Sequence, residues 1–340
     1  MNRKSFKKYI GGLTLLLILS LIPYLVVNIE AKTVTFKIVT MQPKGKPISK
    51  NLMMFADALK KKFNGQVIIN LLGGPEVIGP FQQHEAVRSG QIDMALTSCS
   101  FYSSLTPLSH VNMFSNLTRA ELLKKGFYDI HEEIHRKIGL GYLGEITFDV
   151  PFFIFTNFEV KSLKDFVGKK IRVFPAITPF MKALGAAPVM MGQHEIYSAM
   201  DRGVVDGFVM STGGFVKGHS WHEVTKYMIK PPFYRGGLAL LINPKSWDKV
   251  PKDLQKKIKD WKYNVWDPDP NGGEWFVNFT NDETKLVEQS GVKVIELSPA
   301  DAKVYLKKAY ESAWESIIAK EPVEGPKLRK MLFDESRLSQ

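Results

Sequence analysis

The chain has 340 residues, 44% of them hydrophobic and 24% charged. That balance describes a folded protein with apolar material for one large or two medium domains, and it excludes a disordered or fibrous chain. The net charge of +12 attracts anionic partners, but the lysines come as singles and short clusters such as KKK at 60–62 and KKIK at 256–259. The aromatic-interleaved basic stripe of single-strand nucleic-acid binders is missing.

Residues 1–31 carry the order of an export signal: Arg3, Lys4, Lys7 and Lys8, then an uncharged apolar run from Tyr9 to Val27, then a short polar end at Ala31. The run is long for a cleaved signal, so an uncleaved membrane anchor is the alternative. No cysteine follows it that could take a lipid. Losing residues 1–31 removes those four bases and Glu30, which leaves a net charge of about +9. An exported, periplasmic protein is expected, which also argues against nucleic acid. The single cysteine, Cys99, rules out an intrachain disulfide framework, and a large exported protein builds a core without one.

Beyond the signal, short apolar runs alternate with amphipathic segments, the pattern of an α/β fold. TFKIVT (35–40) reads as a strand, 47–62 as a helix, QVIINLL (66–72) as a strand, 81–89 as a helix and IDMALTS (92–98) as a strand. A helix over 119–138 follows, then strands at 142–148, 151–157 and 169–174. Next come a helix at 178–186, a strand at 188–191, a helix at 194–203 stopped by Gly203, and strands at 204–210 and 238–243. A helix over 252–265 runs into WDPDPNGG (266–273), whose prolines and glycines break the pattern. Helices at 274–290 and 299–320 flank a last strand, VKVIEL (292–297).

HEEIH (131–135) matches H-E-x-x-H, which sets two zinc ligands and a general base on one helix face. At about 100° per residue, Leu123, Phe127, Ile130, Ile134 and Ile138 form an apolar stripe. His131 and His135 fall beside it, at the boundary with solvent. A catalytic zinc needs a third ligand, and the extended motif fails because position 138 is Ile and 141 is Gly. A surface helix that fits a loose motif is the reading preferred over a zinc hydrolase. No other nucleophile, phosphate-loop or dinucleotide motif occurs. No enzyme activity, cofactor or metal is expected.

The stretch 156–210 is the informative one. It holds TN, then SLKDFVGKKIR, then LGAAPV, then EIYSAMDRGVVDG. In this it resembles the periplasmic solute receptors of tripartite ATP-independent (TRAP) transporters, of the DctP-like family. SGQIDMA at 89–95 and LLINPKSWDKVPKDLQKKI at 240–258 resemble further segments of that family, so the likeness covers nearly the whole mature chain. It implies a two-domain periplasmic-binding-protein fold with crossover strands and a ligand cleft between the domains. The expected divisions are a signal at 1–31, domain I at 32–150 plus about 236–272, and domain II at 151–235 plus about 273–340. WDPDPNGG falls where the family has a long helix spanning both domains, so a displaced or interrupted helix is expected there.

Arg172 sits in a strand between Ile171 and Val173. A planar guanidinium in such a place needs an anion, and it grips a carboxylate through two parallel hydrogen bonds. The resemblance implies that Arg172 holds the substrate carboxylate; an internal salt bridge is the other reading. Two departures bear on the solute. Where many relatives carry a ligand-binding Asn, this chain has Met210. Where dicarboxylate and sialic-acid receptors carry a second Arg, about twenty residues before the first, it has Phe152. The expected solute is therefore a monocarboxylate with a hydrophobic or aromatic remainder, such as a 2-oxo acid. Phe174, Ser211 and Tyr234 are wall candidates by nearness to matching family positions, or else ordinary core and rim residues. Partners implied by the resemblance are the solute and the membrane permease subunits of an ion-gradient-driven transporter. The alternative is a sensor of the same fold that docks on a membrane kinase.

Overall fold

The structure, a computed structural model, describes residues 33–339. The expected export signal lies outside the described residues. Eleven strands are described: β1 Val34–Thr40, β2 Val67–Gly73, β3 Met94–Thr97, β4 Gly141–Pro151, β5 Phe153–Thr156, β6 Lys170–Val173, β7 Ala187–Met190, β8 Gly207–Met210, β9 Tyr227–Lys230, β10 Arg235–Ile242 and β11 Lys293–Glu296. They build two sheets, ordered β2-β1-β3-β10-β4 and β11-β9-β5-β8-β6-β7. Helices pack around both, the two-domain α/β architecture expected from the sequence.

The local causes are plain. In β1, Val34, Phe36 and Ile38 point inward and Thr35 and Lys37 outward, the alternation of a half-buried strand. The helix Pro47–Lys62 opens on proline, whose missing N–H costs nothing at that position, and closes on Lys60, Lys61 and Lys62 against its negative end. The expected helix over 119–138 is two helices, Arg119–Lys124 and Phe127–Lys137. Gly126 between them has φ +69°, a conformation that ends a helix. Thr118 caps the first helix and Glu121 returns the bond to the Thr118 N–H. Strand β9 and the helix Glu324–Leu332 had no counterpart in the sequence reading.

Two connections join the sheets side by side. Strand β4 of the first sheet passes through Phe152 directly into β5 of the second. The chain returns from β9 through Phe233 and Tyr234 into β10. The Phe152 N–H donates to the Tyr234 carbonyl (3.1 Å) and the Phe233 N–H to the Phe152 carbonyl (3.1 Å). These are the crossover strands. The break at 266–273 is a built corner. The helix Lys252–Trp261 ends in a wider turn at Lys262–Trp266, and a new helix runs Trp275–Gln289. Asp267 at the corner is buried and pairs with Arg119 and with Lys262 (3.0 Å). A Cβ at Gly273 would lie 2.5 Å from the Asp267 Cα, so the corner closes only over glycine.

Candidate ligand-binding site

A cavity lies between the two sheets, beside the crossover at Phe152. It has about 60 Å³ of space for water-molecule centres, room for several waters. Met41, Ile48, Phe101 and Met113 wall one side; Arg172, Phe174, Gln193, Met210 and Ser211 wall the other. Phe152 and the β10 residues Gly236 and Gly237 close it at the crossover. The wall is mainly apolar, as small-molecule sites are, with a few polar groups set in it.

Arg172 is the only charged side chain of that wall and is 1% exposed. Strand β6 carries it between β7 and β8, opposite Val189 and Phe208. Its Nε and Nη2 donate to the Met191 carbonyl (3.1 and 2.8 Å). Its Nη1 lies 3.3 Å from both the Val209 carbonyl and the Met210 sulfur. The Phe174 ring lies 6.0 Å from the guanidinium carbon. Among the described residues no carboxylate forms an ion pair with Arg172, so the internal salt bridge considered from the sequence is not what the structure shows. Burial pushes the guanidinium from its ordinary 12.5 down to about 9, with only Glu195 raising it. A buried cation facing carbonyls and a thioether is solvated by dipoles alone; a carboxylate would complete it.

Of the six residues singled out in the sequence, five meet at this cavity: Arg172, Phe152, Phe174, Met210 and Ser211. Phe152 and Phe174 lie with ring centroids 5.3 Å apart. Tyr234 is not among the lining residues. It is fully buried, its hydroxyl donates to the Ala309 carbonyl, and its ring packs on Phe114 and Tyr310. The sequence reading missed Gln193 and the glycine pair. A Cβ at Gly236 would sit 2.1 Å from the Phe152 ring, and one at Gly237 would sit 2.2 Å from Glu145 Oε1. Glycine there lets the ring and the carboxyl lie against β10. The signal was available: two glycines opening an apolar strand mark a close approach. Glu145 itself is buried, takes a hydrogen bond from Asn112 Nδ2 (2.6 Å), and has its carboxyl raised to about 8 by burial.

The HEEIH helix corrects the wheel. His131 and His135 are fully buried, whereas Ile130 is 40% exposed. Tyr142 of β4 decides this, because its ring stacks on His135 (4.6 Å) and meets His131 edge-on. His135 Nδ1 donates to the His131 carbonyl (2.7 Å), so its Nε2 accepts from the Tyr102 hydroxyl (2.8 Å). His131 Nε2 donates to the Ser109 carbonyl (2.7 Å). Cys99 Sγ stands 4.0 Å from His135 Nε2, and ligating atoms of Cys99, His131 and His135 fall within 4.8 Å of one another. Hydrogen bonds nonetheless account for where the rings lie. Burial holds His135 down at about 4 and His131 well below its ordinary range, and it raises the Cys99 thiol. The pair is a neutral core element against the first sheet, and neither histidine is among the residues lining the cavity.

Two sheets joined by paired crossovers around a cavity with one buried arginine are the architecture of a two-domain binding protein. Residues 38–321 match the model of the bacterial extracellular solute-binding proteins, family 7, and the chain belongs to that family, the periplasmic solute-binding proteins of TRAP transporters. Its members are binding proteins of transporters, not enzymes. A C4-dicarboxylate-binding periplasmic protein of Rhodobacter capsulatus is 25% identical over 64% of this chain and 66% of its own length. A monocarboxylate 2-oxoacid-binding periplasmic protein of Nostoc is 22% identical over 58% of this chain and 56% of its own. Matches to these curated relatives thus span two thirds of their length or less. Among solved structures, a TRAP solute-binding protein of Desulfovibrio salexigens with bound orotic acid has TM-score 0.78 and 21% identity. It covers 90% of this chain and 98% of that one. A pyroglutamic-acid receptor of Bordetella pertussis has TM-score 0.76 at 19% identity, covering 88% and 99%. At these identities the likeness speaks for the fold.

Proposed function

We propose that this chain is a periplasmic receptor that binds an organic monocarboxylate with a hydrophobic or aromatic remainder and hands it to an ion-gradient-driven TRAP permease. The observation that carries the reading is Arg172: a buried cation on the cavity wall with no carboxylate partner among the described residues. Its acid comes from outside. The relatives and neighbours named above are described with acids, and the mono- and dicarboxylate receptors among them span both charge classes. Here Phe152 and Met210 line the cavity where further polar contacts would have to stand for a second carboxylate. Burying that carboxylate unpaired would cost about 1–3 kcal/mol or more.

The rest follows as part of the same reading. Residues 1–31 direct export. Domain I takes 32–150 plus about 236–272, and domain II takes 151–235 plus about 273–340. Closure over the solute hinges at the paired crossovers, the motion that periplasmic binding proteins use.

The test is thermal melting of the chain without residues 1–31 against a panel of mono- and dicarboxylic acids, with Arg172→Ala alongside. An acid at about 100 times its dissociation constant stabilises by about 2.7 kcal/mol, a shift of several degrees. A monocarboxylate that shifts wild type and not the variant supports the proposal. Preference for a dicarboxylate overturns the monocarboxylate part, and no shift with any acid overturns the whole.

A further inference from the structure

Met41 and Gln193 line the ligand cavity and also a second, more polar cavity with about 290 Å³ of space for water-molecule centres. Gln42 and Lys46 border this second space on one side, His219 and Trp221 on the other. Here the hydrogen bonds fix the direction of each amide. Gln42 Oε1 accepts from the Ile48 N–H (3.0 Å), so it is Gln42 Nε2 that faces His219 Nε2 at 3.2 Å. That ring nitrogen is therefore an acceptor. The ring lies flat against Trp221, centroids 4.4 Å apart. Burial and the charge of Lys46 keep it neutral. Gln193 must then also offer its NH2 to His219, and its Nε2 stands 3.3 Å away.

The consequence falls on the other end of Gln193. Its Oε1 is buried with no hydrogen-bond partner among the described residues, on a side chain whose residue is only 4% exposed. A buried carbonyl left without a donor is costly and rare. Gln193 is two residues beyond Met191, whose carbonyl holds the Arg172 guanidinium. The orphaned oxygen thus belongs to the same turn that frames the arginine. Ser211, on the same cavity wall, also has a hydroxyl with no hydrogen-bond partner among the described residues.

We infer that Gln193 is a specificity-determining residue: its amide oxygen accepts a hydrogen bond from an O–H or N–H of the solute, on an atom near the carboxylate. The solute class narrows from hydrophobic monocarboxylates in general to those with such a donor, a 2-hydroxy acid or an acid with an adjacent N–H. A 2-oxo acid or a plain fatty or arylacetic acid leaves the oxygen unpaired. This rests on the Arg172 reading.

Two matched series test it by calorimetry: mandelate, phenylglyoxylate and phenylacetate, and their 4-methylpentanoate counterparts with hydroxyl, keto and methylene at the same carbon. Wild type is expected to bind the hydroxy member of the fitting series about tenfold tighter than the methylene member, the worth of one hydrogen bond. Gln193→Met should abolish that ratio by weakening the hydroxy acid alone. Equal weakening of all three, or an unchanged ratio, overturns the assignment. If no acid of either series binds wild type, the Arg172 reading fails with it. A ligand-independent arm separates the two: without any acid, Gln193→Met should melt at or above the wild-type temperature, because an orphaned acceptor is removed. A fall of several degrees shows that the oxygen serves the fold and overturns the role of Gln193 whatever Arg172 does.

Discussion

Replacing Arg172 by methionine is expected to separate stability from binding. In the ligand-free protein the guanidinium is depressed from 12.5 to about 9 by burial. At about 1.36 kcal/mol per unit, the folded chain holds this charge about 5 kcal/mol less well than water does. At pH 7 the group is charged whether folded or not, so the full cost is present. Against it stand the hydrogen bonds to the Met191 and Val209 carbonyls. Orphaning those two carbonyls costs about 1–3 kcal/mol each. The net change runs from a loss of about 1 to a gain of about 3 kcal/mol, so the ligand-free Arg172→Met protein should melt within a few degrees of the wild-type temperature or above it. Its affinity for the solute should fall at least 100-fold, since two charge-assisted hydrogen bonds of about 1.5–3 kcal/mol each are lost. Differential scanning calorimetry and titration read the two effects on the same samples. A ligand-free melting temperature lowered by five degrees or more would refute the reasoning, because it would mean that Arg172 has an internal counter-charge.

Gly236→Ala places a Cβ 2.1 Å from the Phe152 ring and must drive that ring into the cavity. Stability should drop by about 1–3 kcal/mol and solute affinity with it; undiminished affinity in titration would contradict the wall role of Phe152. Acid should weaken the fold in a defined window. His110 and His135 are held down at about 3 and about 4 by burial. A depressed folded value gives stability that is present above the ordinary 6.5 and lost as pH falls toward those values. Urea midpoints should therefore fall steeply between about pH 6.5 and 4, and a flat profile there would speak against neutral buried histidines. Glu145 has the opposite sign. Its carboxyl is raised from 4.5 to about 8, so its contribution is full below 4.5 and lost as pH rises through 8. Glu145→Gln should stabilise the protein at pH 9 and show no gain at pH 4.5; equal effects at both would be the contrary result.

Elements bounded by strong punctuation were legible in the sequence. The helix Pro47–Lys62 begins on its proline, β1 and β2 are mainly apolar runs between turn residues, and β6 lies between Gly168 and Pro175. Strand β9 was not, because YMIK is four residues long and carries no alternation that outweighs the lysines around it. The break at Gly126 was hidden by apolar residues spaced as in one helix. Arg172 announced itself as a charge among strand apolars, and Phe152 and Met210 by the family positions they fill. Gln193 could not be seen. A glutamine in a turn reads as solvent-facing, and only the chain from Ile48 through Gln42 to His219 fixes which end of its amide is free. The histidines of HEEIH failed for a related reason. A wheel ranks isoleucine above histidine for burial, but Tyr142 on the neighbouring strand and the carbonyl of Ser109 take up the imidazoles. Tertiary partners, absent from any local pattern, overrode the ranking.

The most direct test of a receptor built on Arg172 is a calorimetric comparison of its best acid with the methyl ester of that acid, which keeps the shape and removes the charge. If Arg172 receives the carboxylate, the ester binds at least 100-fold more weakly to wild type, and acid and ester bind Arg172→Met alike. An ester that binds wild type as tightly as the acid would show that the charge of the solute is held elsewhere or not at all.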